Sequence, residues 1–154
     1  MRKLVICDID GTISKVGDRL KYLQQNPKDW DQFYAHCDED LPIQNMIDLV
    51  QSLARAGYHI VFCTGRRNAV RQQTRDWIAN NMSNMIFYGY DLLMRVDGDH
   101  RHDTEVKPEM LNIYLAAMNC TPIDVEFILE DRTSMVNKWR ELGYTCLQVA
   151  EGNF

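Results

Sequence analysis

The feature that most constrains this chain is a short apolar run, Leu4-Val5-Ile6-Cys7, that ends abruptly at Asp8-Ile9-Asp10-Gly11-Thr12. A strand buried on both faces reads as such an unbroken run, not as an alternation. Asp8 and Asp10 are two residues apart, so on an extended chain they share a face. Two carboxylates inside a sheet are costly without compensating charge. Gly11 lets the chain turn at once, which leaves both acids at the sheet's rim. The rim at the carboxyl end of a strand is where open α/β sheets bind ligands. Acids gathered there call for a divalent cation and a phosphate, not for a structural ion pair.

The rest of the chain alternates strand and helix patterns. Ile43, Met46, Ile47, Val50, Leu53 and Ala54 follow helical spacing, and Gly57 stops that helix. Tyr58–Cys63 reads as a second strand running into Thr64-Gly65-Arg66, and residues 68–81 as a helix with Val70, Trp77 and Ile78 inward. Met85–Tyr88 reads as a third strand, Leu92–Val96 as a short extra one, and Asp97–Thr104 as a polar loop. Pro108 suits the first turn of a helix reaching Met118. Val125–Leu129 is a further strand, Met135, Val136, Trp139 and Leu142 mark a helix ended by Gly143, and Thr145–Val149 is the last strand. This order predicts a parallel sheet with helices on both faces, an α/β three-layer sandwich. The exception is 13–42, which is polar and fits no strand-helix unit. Trp30, Phe33 and Tyr34 within it either dock one apolar helix face or stack on a nucleobase.

A chain of 154 residues with 45% apolar content is read as one domain, 1–154, with a proper core. No apolar run approaches the length that spans a membrane. The segment after Met1-Arg2-Lys3 is too short and too soon broken by acids for a signal peptide, so a cytoplasmic location is expected. Cys7, Cys63 and Cys146 sit in or beside strand-like runs and are expected as buried, reduced thiols. His100 and His102 have no cysteine neighbours at zinc spacing and read as solvated loop residues. The net charge of −5 argues against broad electrostatic binding of nucleic acid, and leaves room only for a local grip on an end.

Three further clusters follow Asp8-x-Asp10-x-Thr12 in order: Thr64-Gly65-Arg66, then Lys107, then Glu130-Asp131. Singly, each has a bland reading, as a helix cap, a surface lysine or an acid pair at a helix start. Their joint order resembles the four motifs of the haloacid dehalogenase superfamily of phosphotransferases. That resemblance implies a Rossmann-like sandwich with a short cap, 13–42, inserted after the first strand. It implies Asp8 as nucleophile and Asp10 as general acid and base. Mg²⁺ would be held by Asp8, the Asp10 main-chain carbonyl and Asp131, with Glu130 orienting a bound water. Thr64, Gly65 and Lys107 would meet the phosphoryl oxygens. A cap this short implies an open site, suited to bulky or polymeric phosphoesters.

The chain also resembles the 3′-phosphatase domain of phage polynucleotide kinase. Glu130-Asp131-Arg132-Thr133, Val136, Trp139-Arg140, Gly143, Cys146, Gln148-Val149-Ala150, Gly152 and Phe154 carry that likeness, with Glu130 where the family has Asp. Arg101, Asp103 and Val106 precede or flank Lys107 as in that domain. Arg19, nine residues after Asp10, matches an active-site arginine, as does Arg66. Both are expected to hold the substrate phosphate or close the site; Arg19 has a second reading as a solvated lid residue. The resemblance implies removal of 3′-phosphates from nucleic-acid ends. The alternative, with the same chemistry, is a phosphatase of small (deoxy)nucleoside monophosphates. No Gly-x-x-x-x-Gly-Lys-Ser/Thr loop occurs, so ATP-dependent 5′-phosphorylation is not expected of this chain, and the resemblance leaves room for a separate kinase or ligase partner.

Overall fold

The computed structural model describes residues 3–152, so Phe154 of the closing motif lies outside the described residues. In chain order the elements are β1 (Leu4–Cys7), β2 (Ser14–Lys15), α1 (Trp30–Ala35), β3 (Leu41–Pro42) and α2 (Gln44–Arg55). They continue as β4 (His59–Arg67), α3 (Arg71–Asn81), α4 (Asn84–Tyr88), β5 (Tyr90–Arg95), α5 (Asp103–Ala117), β6 (Val125–Arg132), α6 (Thr133–Glu141) and β7 (Cys146–Gly152). Five strands form one sheet in the order β5-β4-β1-β6-β7, and every pairing in it is parallel. The expected α/β three-layer architecture is therefore present.

Alternation along the strands feeds two cores. Val5 and Cys7 of β1, with Ile60 and Phe62 of β4, pack under Ile47 and Val50 of α2 and Ile78 of α3. Leu4 and Ile6, with Val61 and Cys63, face Leu111 and Leu115 of α5 and Val136 and Trp139 of α6. Cys7, Cys63 and Cys146 are buried free thiols, as expected. β1 is central: from it the chain runs outward through β4 to β5 on one side, then crosses over to β6 and outward to β7 on the other. Its carboxyl end is thus a topological switch point, where the diverging connections leave a crevice.

The structure corrects the sequence reading in two places. Met85–Tyr88 is not a strand but lies in α4, and the edge strand beside β4 is β5. Gly89, at φ +75°, ends α4 and turns the chain into β5. The helix carrying Lys107 also starts earlier than Pro108 suggests, at Asp103, with the His102 ring accepting from Thr104 N–H as its cap. Asp103 and Glu105 in its first turn suit the positive end of the helix dipole. Lys107 is consequently a rigid helical residue in the second turn.

The 13–42 segment contains a two-stranded antiparallel ribbon, β2 with β3, as its neck. Between those strands lie a 3₁₀ turn (Gly17–Tyr22) and α1. Asp29 caps α1 by accepting from Gln32 N–H at 3.0 Å.

Candidate active site

Asp8 follows β1 directly, and its N–H still donates to Leu129 O of β6 at 3.0 Å. Thr64 lies near the carboxyl end of β4, and Glu130 and Asp131 near that of β6. Parallel pairing of these three strands brings their ends together, and α5 contributes Lys107 from the side. The Lys107 ammonium donates to Asp8 Oδ1 and Glu130 Oε2, each at 2.8 Å. The other Glu130 oxygen accepts from the backbone N–H groups of Asp131 and Arg132 at 3.2 and 3.3 Å. Thr12 Oγ1 donates to Asp131 Oδ1 at 3.3 Å. Gly11 takes φ +87°, and a Cβ there would overlap the Asp131 carboxylate. Only glycine allows the first motif to turn this close to the fourth.

Asp8, Glu130 and Asp131 are buried and each offers an oxygen within 4.8 Å of the others. The Lys107 ammonium, with the Arg132 guanidinium also within reach of these charges, does not offset that group fully. Burial, then the nearby Glu130 charge, push Asp8 up to about 7, although Lys107 pulls the other way. Burial and the Asp8 charge push Asp131 up to about 6. Burial opposes the Lys107 charge, but Asp8 and Glu130 override it and hold the ammonium well above its ordinary range. A hard divalent cation with oxygen ligands fits this donor set.

Asp10 stands apart from that group. Arg66 donates to its carboxylate from Nη2 at 2.7 Å and from Nε at 3.1 and 3.2 Å, and Arg19 Nη2 adds a contact of 2.5 Å. Burial alone would raise the Asp10 carboxyl, but the two guanidiniums override it and hold it far below the usual range. Arg19 is not a solvated residue: it is 3% exposed, grips Asp40 through Nε at 2.8 Å and Nη2 at 2.6 Å, and lies 4.2 Å over the Phe33 ring. Both arginines expected at the substrate phosphate are thus placed on Asp10. Asp40, which also accepts from Ser14 Oγ at 2.5 Å, was not signalled by the sequence. It sits in the acidic stretch Asp38-Glu39-Asp40, where nothing but tertiary contact separates it from its neighbours.

Thr64 is fully buried, and its Oγ1 accepts from Arg66 N–H at 3.2 Å, which leaves its own hydrogen to donate. Gly65 has Asp103 against it: a Cβ would stand 2.6 Å from Asp103 Oδ1. The Gly65 carbonyl accepts from Tyr34 Oη and Arg95 Nε, both at 3.1 Å. Asp103 pairs with Arg95 and, at 2.7 Å, with Arg132. Arg95 is a second contributor that no motif in the sequence marks. Above these groups opens a cleft of about 410 Å³ whose floor includes Asp8, Thr64 and Lys107. Trp30 and Tyr34 line it, as do His100 and His102, so the histidines are exposed but not remote from the site.

A parallel sheet whose central strand ends in a buried aspartate under a lysine, with paired acids on the next strand, defines a phosphatase of the haloacid dehalogenase-like class. A solved hydrolase of that class from Streptococcus pneumoniae shares the fold, with a TM-score of 0.61 at 14% identity over 96% of this chain and 84% of that one. More narrowly, the chain belongs to the polynucleotide kinase PNKP phosphatase domain family, whose model matches residues 2–154. A chain in a solved Pnkp1/Rnl/Hen1 complex is 32% identical, with a TM-score of 0.78, over 100% of this chain and 48% of that one. A protein of Autographa californica nuclear polyhedrosis virus, described as a bifunctional polynucleotide kinase/RNA ligase, is 27% identical over 140 residues, 91% of this chain and 18% of its own length. The chain therefore spans about half of the solved relative and under a fifth of the viral one.

Proposed function

We propose that this phosphatase is Mg²⁺-dependent, works through an aspartyl-phosphate on Asp8, and removes 3′-phosphates from nucleic-acid ends. The observation that carries the reading is Asp8 itself: a buried carboxylate at the cleft floor, hydrogen-bonded by Lys107 and grouped with Asp131 and Glu130. Asp8 and Asp131 would hold Mg²⁺, with the Asp10 main-chain carbonyl and Glu130 completing its surroundings. When bound, the cation offsets repulsion between the Asp8 carboxylate and the phosphate dianion.

Asp8 then attacks phosphorus and the ester oxygen leaves with a proton. Lys107 and the Thr64 hydroxyl stabilise the phosphoryl oxygens. Asp10, held ionised by Arg19 and Arg66, is already a base suited to activating water against the acyl phosphate. To act as the acid in the first half-reaction it must loosen from an arginine, take up a proton from solvent and pass that proton to the leaving ester oxygen. Arg19 comes from the 13–42 segment and Arg66 from β4, so the Arg19 contact is the one that a shift of the segment would release. Among the described residues no helix is long and apolar enough to cross a membrane. The relatives' company of kinase and ligase supports a shared pathway of end repair, in which a separate kinase or ligase acts on the hydroxyl end released here.

Asp8→Asn tests the mechanism. It abolishes phosphate release while the variant keeps the fold and a single cooperative unfolding transition, and acid-quenched wild type, but not the variant, retains labelled phosphate on protein. Full activity in Asp8→Asn overturns the mechanism.

A further inference from the structure

We infer that the lid wall of the cleft is a subsite for the terminal nucleoside, with Trp30 as its base platform and Lys28 as the contact for the phosphate on that nucleoside's 5′ side; this rests on the proposed 3′-phosphatase reading. The lid aromatics divide their roles. Phe33 is buried beneath Arg19, whereas Trp30 is 39% exposed and lines the cleft that holds Asp8. Trp30 lies nearly parallel to Tyr34, with ring centroids 6.0 Å apart and planes at 25°. Tyr34 is anchored through its hydroxyl to the Gly65 carbonyl at 3.1 Å. The platform is thereby fixed to the end of β4 that carries Thr64, at the reacting end of the cleft. Aromatic faces of this kind stack on any base without reading its edge.

Charge on this wall is uneven. Asp31 is committed to Arg67, and Asp29 to the N-terminus of α1. Lys28 has its ammonium 5.8 Å over the Trp30 ring and, among the described residues, pairs with no carboxylate. A base arriving on Trp30 takes over the ring, and the ammonium, on a flexible stem, turns to the phosphate of the same nucleotide. A cleft of about 410 Å³ holds one such unit. The smallest good substrate is then a nucleotide with phosphates on both its 3′ and 5′ oxygens, and longer strands add little.

The test compares KM for phosphate release from a nucleoside 3′-monophosphate, a nucleoside 3′,5′-bisphosphate, a 3′-phosphorylated dinucleotide and the same dinucleotide with an abasic 3′ residue. Wild type should show a KM about tenfold lower with the base than without it, and a similar gain from the 5′ phosphate. Trp30→Ala collapses the first ratio toward one and Trp30→Phe restores part of it; Lys28→Ala collapses the second. Binding is read separately by fluorescence in Asp8→Asn. Trp77 and Trp139 are only 2% and 1% exposed, so quenching by the dinucleotide reports Trp30 and vanishes in Asp8→Asn/Trp30→Phe. Equal KM values with and without the base, and no quenching, overturn the subsite while leaving 3′-phosphatase activity standing. No release from any of the four substrates overturns the 3′-phosphatase reading instead, and the quenching then decides the subsite alone.

Discussion

Gly11 joins the first motif to the fourth, and it does so by lacking a side chain. Its φ of +87° lies in the left-handed region, and the space a Cβ would fill is held by the Asp131 carboxylate. The backbone penalty for alanine there is about 1–2 kcal/mol, and the overlap adds to it by forcing Asp131 aside. Asp131 is a proposed metal ligand, so the displacement should be read in the metal. Gly11→Ala is expected to raise the half-saturating Mg²⁺ concentration for phosphate release by about tenfold or more, with a lowered urea midpoint. A Mg²⁺ titration of the two proteins checks this; an unchanged half-saturation point would remove Asp131 from the metal's ligands.

Elements differed in how plainly the sequence announced them, and the reason is where their order originates. β1, most of β4 and the half of β6 nearest its motif are buried on both faces, so each appears as an apolar run that stops at its motif, and Asp8, Thr64 and Asp131 could be read at those stops. Met85-Ile86-Phe87-Tyr88 is equally apolar, yet Ile86 and Phe87 are exposed in a helix of little more than one turn. A run that short has no period to reveal its state. The latch of Arg19 and Arg66 on Asp10 and Asp40 was half legible: the arginines matched a motif, but Asp40 acquires its role only when the β2–β3 neck closes. Arg19 and Asp40 side chains are each 3% exposed, so cutting the pair strands a buried charge. Arg19→Ala should cost about 3–5 kcal/mol of stability, seen in the urea midpoint. It also removes one of the two cations that depress Asp10. At saturating Mg²⁺, the acid limb of acyl-phosphate hydrolysis, the step in which ionised Asp10 is the proposed base, then moves upward. Wild type keeps Asp10's stabilising contribution at all but strongly acidic pH, because a depressed carboxyl loses it only as pH falls through its folded pKa. An acid limb that stays in place in Arg19→Ala would show that Asp10 is not the titrating base.

At the scale of the whole molecule, the site sets how folding stability depends on pH and on the cation. Asp8 and Asp131 are raised to about 7 and about 6, so without a cation the folded chain binds more protons than the unfolded chain between their ordinary range and those values. Stability therefore falls as pH rises through that window. Lys107 cannot mask the trend: its raised pKa gives a contribution that is full below its ordinary range and is lost only far above the window. A bound divalent cation favours the ionised carboxylates and reverses the penalty, so its binding releases protons and strengthens with pH. In EDTA the melting temperature should decline from about pH 5 to about pH 8. Mg²⁺ at about a hundred times its dissociation constant contributes about 2.7 kcal/mol, a rise of roughly 5–10 °C for a domain of this size, and the gap over EDTA widens toward the upper pH. Asp131→Asn removes one of the two raised carboxyls, so it should flatten the EDTA slope and shrink the Mg²⁺ gap together. A melting curve in EDTA that does not change over this range would mean that Asp8 and Asp131 are already ionised without a divalent cation, and that Lys107 and Arg132 suffice to hold them.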